Sequence, residues 1–154
     1  MSAFWTYLSV IGIAALPVVE LRGAIPWGVS QGLEPLVVLL LGIVGNLIPV
    51  PFIILFVRRV FAWMKKKSAR LGRIAEAFEK RAENKMDVIV KYETLGLFIL
   101  VAIPLPGTGA WTGSLVAALL DLRLKNACPA IALGVTAAGI IMTVISYGVG
   151  ALIV

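Results

Sequence analysis

Proline, glycine and two opposite charges interrupt an apolar segment in the stretch Pro17-Val18-Val19-Glu20-Leu21-Arg22-Gly23-Ala24-Ile25-Pro26-Trp27-Gly28. The apolar run before it, Phe4 to Leu16, would reach about 20 Å as a helix, which is too short to cross a bilayer. Apolar sequence resumes after the interruption. A broken apolar segment of this kind is typical of a re-entrant loop, whose irregular backbone lies at membrane depth inside protein. We therefore predict a re-entrant hairpin over residues 4–33.

The composition of the chain favours a membrane environment for this hairpin. Hydrophobic residues make up 60% of the 154 residues and charged residues 14%, whereas a soluble domain has about 45–50% and about 25%. The apolar start lacks the basic region and the cleavage site of a secretion signal, so we expect it to stay in the mature protein. One cysteine and no histidine exclude an intrachain disulfide and disfavour a metal cluster. The predicted fold class is an all-α integral membrane protein without a cofactor.

Two uncharged segments are long enough to span the bilayer. Residues 35–57 would extend about 34 Å as a helix, and a second span is predicted over residues 129–152. A second broken segment precedes the latter, because apolar residues from Leu95 to Ile103 are followed by several prolines and glycines. We predict a second re-entrant hairpin over residues 95–120.

The net charge of +6 lies entirely in a linker, residues 58–93, which holds eleven basic and five acidic residues. Because basic residues that flank spans stay in the cytoplasm, this linker is predicted to be cytoplasmic, and the charge indicates a membrane surface rather than nucleic acid. The basic residues expected to contact anionic lipid headgroups are Arg58, Arg59, Lys65, Lys66 and Lys67.

An amphipathic helix is predicted within the linker. Its apolar residues recur at helical spacing: Leu71, Ile74, Ala75, Phe78, Ala82, Met86 and Ile89. The pairs Glu76–Lys80 and Asp87–Lys91 have the spacing that supports a helix. The helix would lie on the membrane surface or pack against a partner copy. The alternative is a solvated connector whose charges only orient the spans.

The charges also predict that the two halves of the chain, residues 1–57 and 94–154, have opposite orientations. The loop 121–125 is net positive and should stay inside, so the second hairpin enters and leaves from the cytoplasm and the first from outside. Residues 23–28 and 109–113 also resemble each other. This pattern indicates an inverted-repeat transporter with a midplane site. The alternative is that glycine and proline merely kink and pack ordinary helices.

Glu20-Leu21-Arg22-Gly23-Ala24-Ile25-Pro26 and Pro104-Leu105-Pro106-Gly107-Thr108-Gly109-Ala110-Trp111-Thr112-Gly113 resemble the two signatures of the small multidrug export family, which is related to the DedA/VTT superfamily. The resemblance covers nearly the whole chain. It implies two opposed re-entrant loops and a transporter in a prokaryotic cytoplasmic membrane. DedA-type relatives imply proton-dependent transport or translocation of a polyprenyl-phosphate lipid carrier. The chain departs from the DedA pattern because it is short and lacks the arginine-rich stretch after the second loop, where Arg123 is the only arginine.

Glu20 and Arg22 are the leading candidates for a functional site. Charged groups inside a membrane segment cost several kcal/mol unless they are paired or hydrated, so they mark pathways. We expect Glu20 to exchange protons and Arg22 to hold an anionic group or to tune Glu20. The alternative is that both lie in water at the outer interface.

Further pathway residues come from the broken segments and from the first span. Pro49 removes the hydrogen bond to the carbonyl of Gly45, so this carbonyl and Asn46 could line a cavity. Thr112 would add a hydroxyl group, and Trp27 could wall the site, although tryptophan more often anchors at interfaces. The predicted pathway residues, besides Glu20 and Arg22, are Gly23, Pro26, Asn46, Pro49, Pro106, Gly107, Thr108, Gly109 and Trp111.

The sequence leaves three functions open. The first is a small secondary transporter, with proton coupling through Glu20; the second is a lipid scramblase or lipid-carrier flippase. The third is a non-transporting membrane scaffold. No nucleophile–base pair, metal spacing or phosphate loop is present, so we expect no enzymatic activity. The expected partners are membrane lipids and a small-molecule or lipid substrate, and a homodimer or larger assembly should bury the irregular backbone.

Overall fold

The computed structural model describes residues 3–84, 93–105 and 107–153, and the regular structure in these ranges is α-helical, as predicted. The helices are α1 Ala3–Ala15, α2 Glu20–Ser30, α3 Pro35–Leu47, α4 Pro49–Lys67, α5 Ala69–Glu83, α6 Glu93–Ala102, α7 Ala110–Leu119 and α8 Leu124–Ile153.

Two helical segments are long and apolar enough to cross a membrane, in agreement with the two predicted spans. The first runs from Pro35 to Lys67 as α3 and α4, with one turn residue, Ile48, between them. It continues past the predicted end at Val57, because residues 58–67 contain no glycine or proline that would break the helix. The second, α8, begins at Leu124, before Pro129. Pro129 lies inside this helix and removes the hydrogen bond to the carbonyl of Lys125, which a membrane helix tolerates.

Large apolar side chains cover much of the outer surface of these helices. Phe52 on α4 is 61% exposed, and Leu133 and Val144 on α8 are 63% and 67% exposed. A soluble monomer rarely exposes contiguous apolar surface on this scale. In a bilayer the same side chains contact lipid, so the surface is that of a membrane protein.

Each half packs as a group of three helices. Helices α1, α2 and α3 contact one another, and so do α6, α7 and α8. Close approach depends on glycine in both groups. A Cβ on Gly45 of α3 would lie 2.5 Å from the carbonyl oxygen of Ile11 on α1, and a Cβ on Gly134 of α8 would lie 2.7 Å from Val101 on α6. The halves join where α4 packs on α7 and where α2 and α3 pack on α8.

Each half contains a break between two short helices. The first break is shorter than predicted, because α2 resumes at Glu20 and the predicted irregular residues Arg22, Gly23 and Pro26 are helical. The proline in α2 removes only the hydrogen bond to the carbonyl of Arg22, which a membrane helix tolerates. In the second half, α6 ends at Ala102 and α7 begins at Ala110.

Linker helix α5 folds back against its own chain. It packs on α4 and α7, with Gly72, Ala75 and Ala82 buried. Phe78 stacks near Phe61 of α4, with ring centroids 6.5 Å apart, whereas Ile74 is 48% exposed and so departs from the predicted apolar face. Met86, Ile89 and the pair Asp87–Lys91 lie outside the described residues.

Candidate functional site

The carboxylate of Glu20 lies at the N-terminus of α7. Glu20 opens α2 with a left-handed φ of 51° and is 4% exposed. Its Oε1 accepts a hydrogen bond of 3.1 Å from the backbone N–H of Trp111. The first N–H groups of a helix have no partner within the helix and carry partial positive charge, so they stabilise a carboxylate there. A charge from the first half thus caps a helix of the second half.

Gly109 makes room for this carboxylate. It precedes α7 with a φ of 119°, and a Cβ built on it would lie 2.0 Å from Oε2 of Glu20. L-residues with a side chain rarely adopt this backbone conformation. Glycine is therefore required both by the turn and by the contact.

Arg22 holds the loop that leads to α7. Its Nη2 donates to Oγ1 of Thr108 at 2.8 Å, and its Nη1 donates to the carbonyl oxygen of Leu105. The Thr108 hydroxyl also lies 2.8 Å from the carbonyl oxygen of Ile103. Among the salt bridges of the described residues, none joins Arg22 to Glu20. Each of the two side chains binds the opposite half instead.

Trp111 completes the junction between the halves. Its Nε1 donates at 3.1 Å to the carbonyl oxygen of Ala15, which ends α1. The other predicted tryptophan, Trp27, donates to Oγ of Ser9 on the outer side of α1 and α2. Trp111 therefore walls the site and Trp27 does not.

A cavity of about 360 Å³ opens beside Glu20 and Arg22. Its polar lining comes from both halves and from the linker helix: Glu20, Arg22, Arg81, Thr108, Trp111 and Thr112. Arg81 is a residue that the sequence analysis missed. Its guanidinium lies against Gly107, where a Cβ would be 2.7 Å from Nη2. Helical spacing could have identified Arg81, because it lies three residues after Phe78 and directly before Ala82, and both of these belong to the predicted apolar face of the helix.

Asn46 lies on α3 and is 1% exposed, and its Oδ1 has no hydrogen-bond partner among the described residues. It lines a narrow crevice that also contacts Glu20, Arg22 and Gly109. Buried polar atoms without a partner are rare in native proteins and call for an explanation.

Other predicted residues lie away from the polar cavity. Pro49 starts α4 and lines an apolar groove of about 360 Å³ on the neighbouring side of Trp111. The Cβ position of Gly23 is occupied by Val19 of its own half. Pro26 lies on an exposed part of α2, and Pro106 lies outside the described residues.

Among the described residues, two of the basic side chains at the end of α4 form salt bridges, and the others are exposed without one. Arg58 forms a 2.6 Å salt bridge with Asp121 and donates to the carbonyl oxygen of Leu119. Lys65 forms a 2.6 Å salt bridge with Glu79 of α5. Arg59, Lys66 and Lys67 are exposed, with Lys67 5.8 Å above the ring of Trp63.

The chain matches the model of a known protein family. No curated protein and no solved structure matches the chain. The model of the family described as "Putative small multi-drug export protein" matches residues 20–141. This range begins at Glu20 and contains all the residues from Glu20 onward that line the cavity. The match covers well over half of the chain, and the two long apolar helices agree with an export protein of the membrane. The chain belongs to this small multidrug export family.

Proposed function

We propose that the chain is a secondary transporter, coupled to protons through Glu20, whose substrate binds in the polar cavity. The observation that carries the proposal is the buried carboxylate of Glu20, which joins two halves of the molecule and borders the cavity. A buried carboxylate at a movable junction can couple its own protonation to a rearrangement of that junction.

The proposed architecture is an inverted repeat, in which each half contributes a re-entrant hairpin and a span. Reciprocal packing supports it, because α2 of the first half packs on α8 and α7 of the second half packs on α4. Reciprocal hydrogen bonds support it too. Tyr147 of α8 donates to the carbonyl oxygen of Leu33 just after α2, and Arg58 of α4 donates to that of Leu119 at the end of α7. Transporters of this architecture alternate access by moving one repeat against the other.

In the proposed proton step, Asn46 receives Glu20 after protonation. A charged Glu20 is stabilised by the N–H groups of α7. Protonation removes that attraction and creates an O–H group that needs an acceptor inside the protein. The Oδ1 of Asn46, which has no hydrogen-bond partner in the described part of the chain, lines the same crevice and is suited to this role. Release of α7 from Glu20 would then let the second hairpin move.

The apolar groove beside the cavity favours a second candidate function, a lipid scramblase or lipid-carrier flippase. The groove is lined mainly by α4 and shares Trp111 with the polar cavity. A lipid could place its headgroup in the cavity while its chain stays in the groove. Such a protein would move lipid without an ion gradient.

Membrane placement and assembly complete the proposal. We place the protein in a prokaryotic cytoplasmic membrane with the basic linker in the cytoplasm, as the positive residues at the end of α4 favour. We also propose a homodimer or larger assembly, because two spans and two half-spans form a thin wall around a polar site.

The test is a proteoliposome assay that compares the native chain with Glu20→Gln. Proton flux and labelled-lipid flipping are recorded in the same vesicles, with and without a pH gradient. The proposal expects proton flux in the native chain and a loss of about tenfold or more in Glu20→Gln, since the neutral amide cannot exchange a proton.

Glu34→Gln is the matched control, because Glu34 is exposed before α3 and its side chain makes no capping hydrogen bond. Equal flux in Glu20→Gln and Glu34→Gln would refute proton coupling at Glu20. Lipid flipping that needs no gradient would favour the scramblase. If folded protein shows neither proton flux nor lipid flipping, the non-transporting scaffold is the function that remains.

A further inference from the structure

Two cavities of equal volume share one wall, and only one of them has charged and polar side chains in its lining. The polar cavity and the apolar groove each measure about 360 Å³. Phe78 of α5 and Trp111 and Leu115 of α7 line both of them. A single ligand that fills both volumes would need a polar end and an apolar end joined at this wall.

The charges of the polar cavity select the sign of the polar end. One carboxylate, Glu20, and two guanidinium groups, Arg22 and Arg81, line it. Glu20 is already bound to the N-terminus of α7 and is 4% exposed. Arg22 already donates to Thr108 and Leu105, whereas Arg81 is exposed on α5 and adds a second positive charge. Guanidinium groups bind carboxylate, phosphate and sulfonate oxygens in a planar, two-pronged geometry. The cavity therefore favours an anionic head over a cationic one.

The apolar groove fits a hydrocarbon chain. Its lining is apolar throughout, and Phe52, Phe56 and Val60 form its outer side on α4. These three side chains are 61%, 46% and 46% exposed on the surface that faces lipid. An alkyl chain can thus reach the groove sideways from the bilayer without crossing water. The groove volume of about 360 Å³ lies near the lower end of the range for small-molecule sites, so it suits one slender ligand.

We propose that the ligand of this site is a single-chain anionic amphiphile, with its acidic head between Arg22 and Arg81 and its alkyl chain in the groove of α4. Phe78 lies at the point where head and chain meet. This inference deepens the proposed function and rests on it, because it names the substrate class of the same cavity.

The experiment measures equilibrium binding of radiolabelled palmitate to the full chain in a neutral maltoside detergent. We expect saturable binding that unlabelled palmitate displaces. Acetate, which has the head alone, should not compete at equal concentration, and hexadecyltrimethylammonium, which has the same chain and a cationic head, should bind about tenfold or more weakly. Equal or tighter binding of the cation would overturn the proposal.

Two surface variants of α5 locate the head. Arg81→Gln should weaken palmitate binding about tenfold, since it removes a charge-assisted hydrogen bond. Lys80→Gln removes the same charge from the preceding residue, which is exposed and does not line either cavity. This variant should bind palmitate as the native chain does. Equal affinity in the two variants would overturn the assignment of the head to Arg81.

A brominated fatty acid locates the chain through the tryptophan at the shared wall. Dibromostearate should quench more fluorescence in the native chain than in Trp111→Phe, and dibrominated phosphatidylglycerol should quench both alike. Phosphatidylglycerol quenching that depends on Trp111 in the same way would overturn the single-chain assignment. The two proposals fail separately: proton flux through Glu20 without palmitate binding refutes only this inference, and palmitate binding without flux refutes only the transporter.

Discussion

Glu20 combines three costs in one residue: a left-handed backbone, burial and charge. The left-handed conformation alone costs a residue with a side chain roughly 1–2 kcal/mol. Strain of this kind persists only where the surrounding structure holds it, and it is concentrated at functional sites. Here the hydrogen bond from Trp111 and the space left by Gly109 hold the carboxylate in place.

Gly109→Ala tests that arrangement. The new Cβ would meet the Glu20 carboxylate and would also occupy an unfavourable backbone conformation. We expect a lower midpoint of thermal unfolding in detergent and a loss of proton flux. Gly32→Ala is the control, because Gly32 also has positive φ, 73°, but nothing lies within 4 Å of its Cβ position. If the two variants lose equal stability and keep equal flux, the contact between Gly109 and Glu20 is not needed for proton transport.

Asn46→Leu separates a functional role of the amide from a structural one. A buried acceptor without a partner destabilises a fold by about 1–3 kcal/mol, so an apolar side chain of similar size should leave stability unchanged or raise it. Proton flux should nevertheless fall, because protonated Glu20 loses its acceptor. Unfolding midpoints and proteoliposome flux measure the two effects. A variant that is more stable and fully active would remove Asn46 from the proton step.

Single residues of the site differed in how far the sequence could predict them. Glu20 and Arg22 were evident, because a charge in an apolar segment is conspicuous. Their partners were not, since Trp111 and Thr108 lie more than 80 positions away in the chain. Arg81 was hidden among the many basic residues of the linker, and only the packing of α5 on α7 shows which of them borders the cavity.

At the scale of elements, α7 is held at both ends by charged side chains, one from the first half and one from the start of the linker. Glu20 binds its N-terminus, and Arg58 binds the carbonyl oxygen of Leu119 and the side chain of Asp121 at its C-terminus. Both charges have the sign that complements the helix dipole. A helix of 10 residues is marginal alone, so these contacts and the packing on α4 position it.

Arg58→Gln tests the C-terminal contact. Both side chains of the Arg58–Asp121 pair are largely solvent-exposed, at 48% and 78%, so the loss should be at most about 1 kcal/mol. We expect a small drop in the thermal unfolding midpoint that Arg59→Gln, a neighbouring charge without such a partner among the described residues, does not share. The same midpoint in both variants would show that the ion pair contributes nothing to α7.

Helix existence was predicted well at this scale and helix boundaries less well. The two spans and the breaks before Glu20 and after Ala102 follow from apolar length and proline. The ends were misplaced where proline was taken as the edge of a helix, because Pro26 and Pro129 both lie inside helices. Neighbouring helices support a membrane helix that contains proline, and this support cannot be seen in the sequence.

At the scale of the whole molecule, the proposal is that two halves of opposite orientation meet at Glu20. Charge alone predicted the orientation, through the positive linker and the loop 121–125. The reciprocal contacts of α2 with α8 and of α7 with α4 agree with that arrangement. They could not be predicted, since they depend on how the halves face each other and not on any local pattern.

Two-sided cysteine labelling tests this arrangement most directly. In a Cys128→Ser background, Gln31→Cys, Asn84→Cys and Asn126→Cys each place one thiol at an exposed position in a loop or at the start of α8. A membrane-impermeant maleimide should label position 31 in intact cells, and positions 84 and 126 only after permeabilisation. Labelling of position 126 from outside would mean that the segment 95–120 crosses the membrane fully, and it would contradict two opposed hairpins meeting at Glu20.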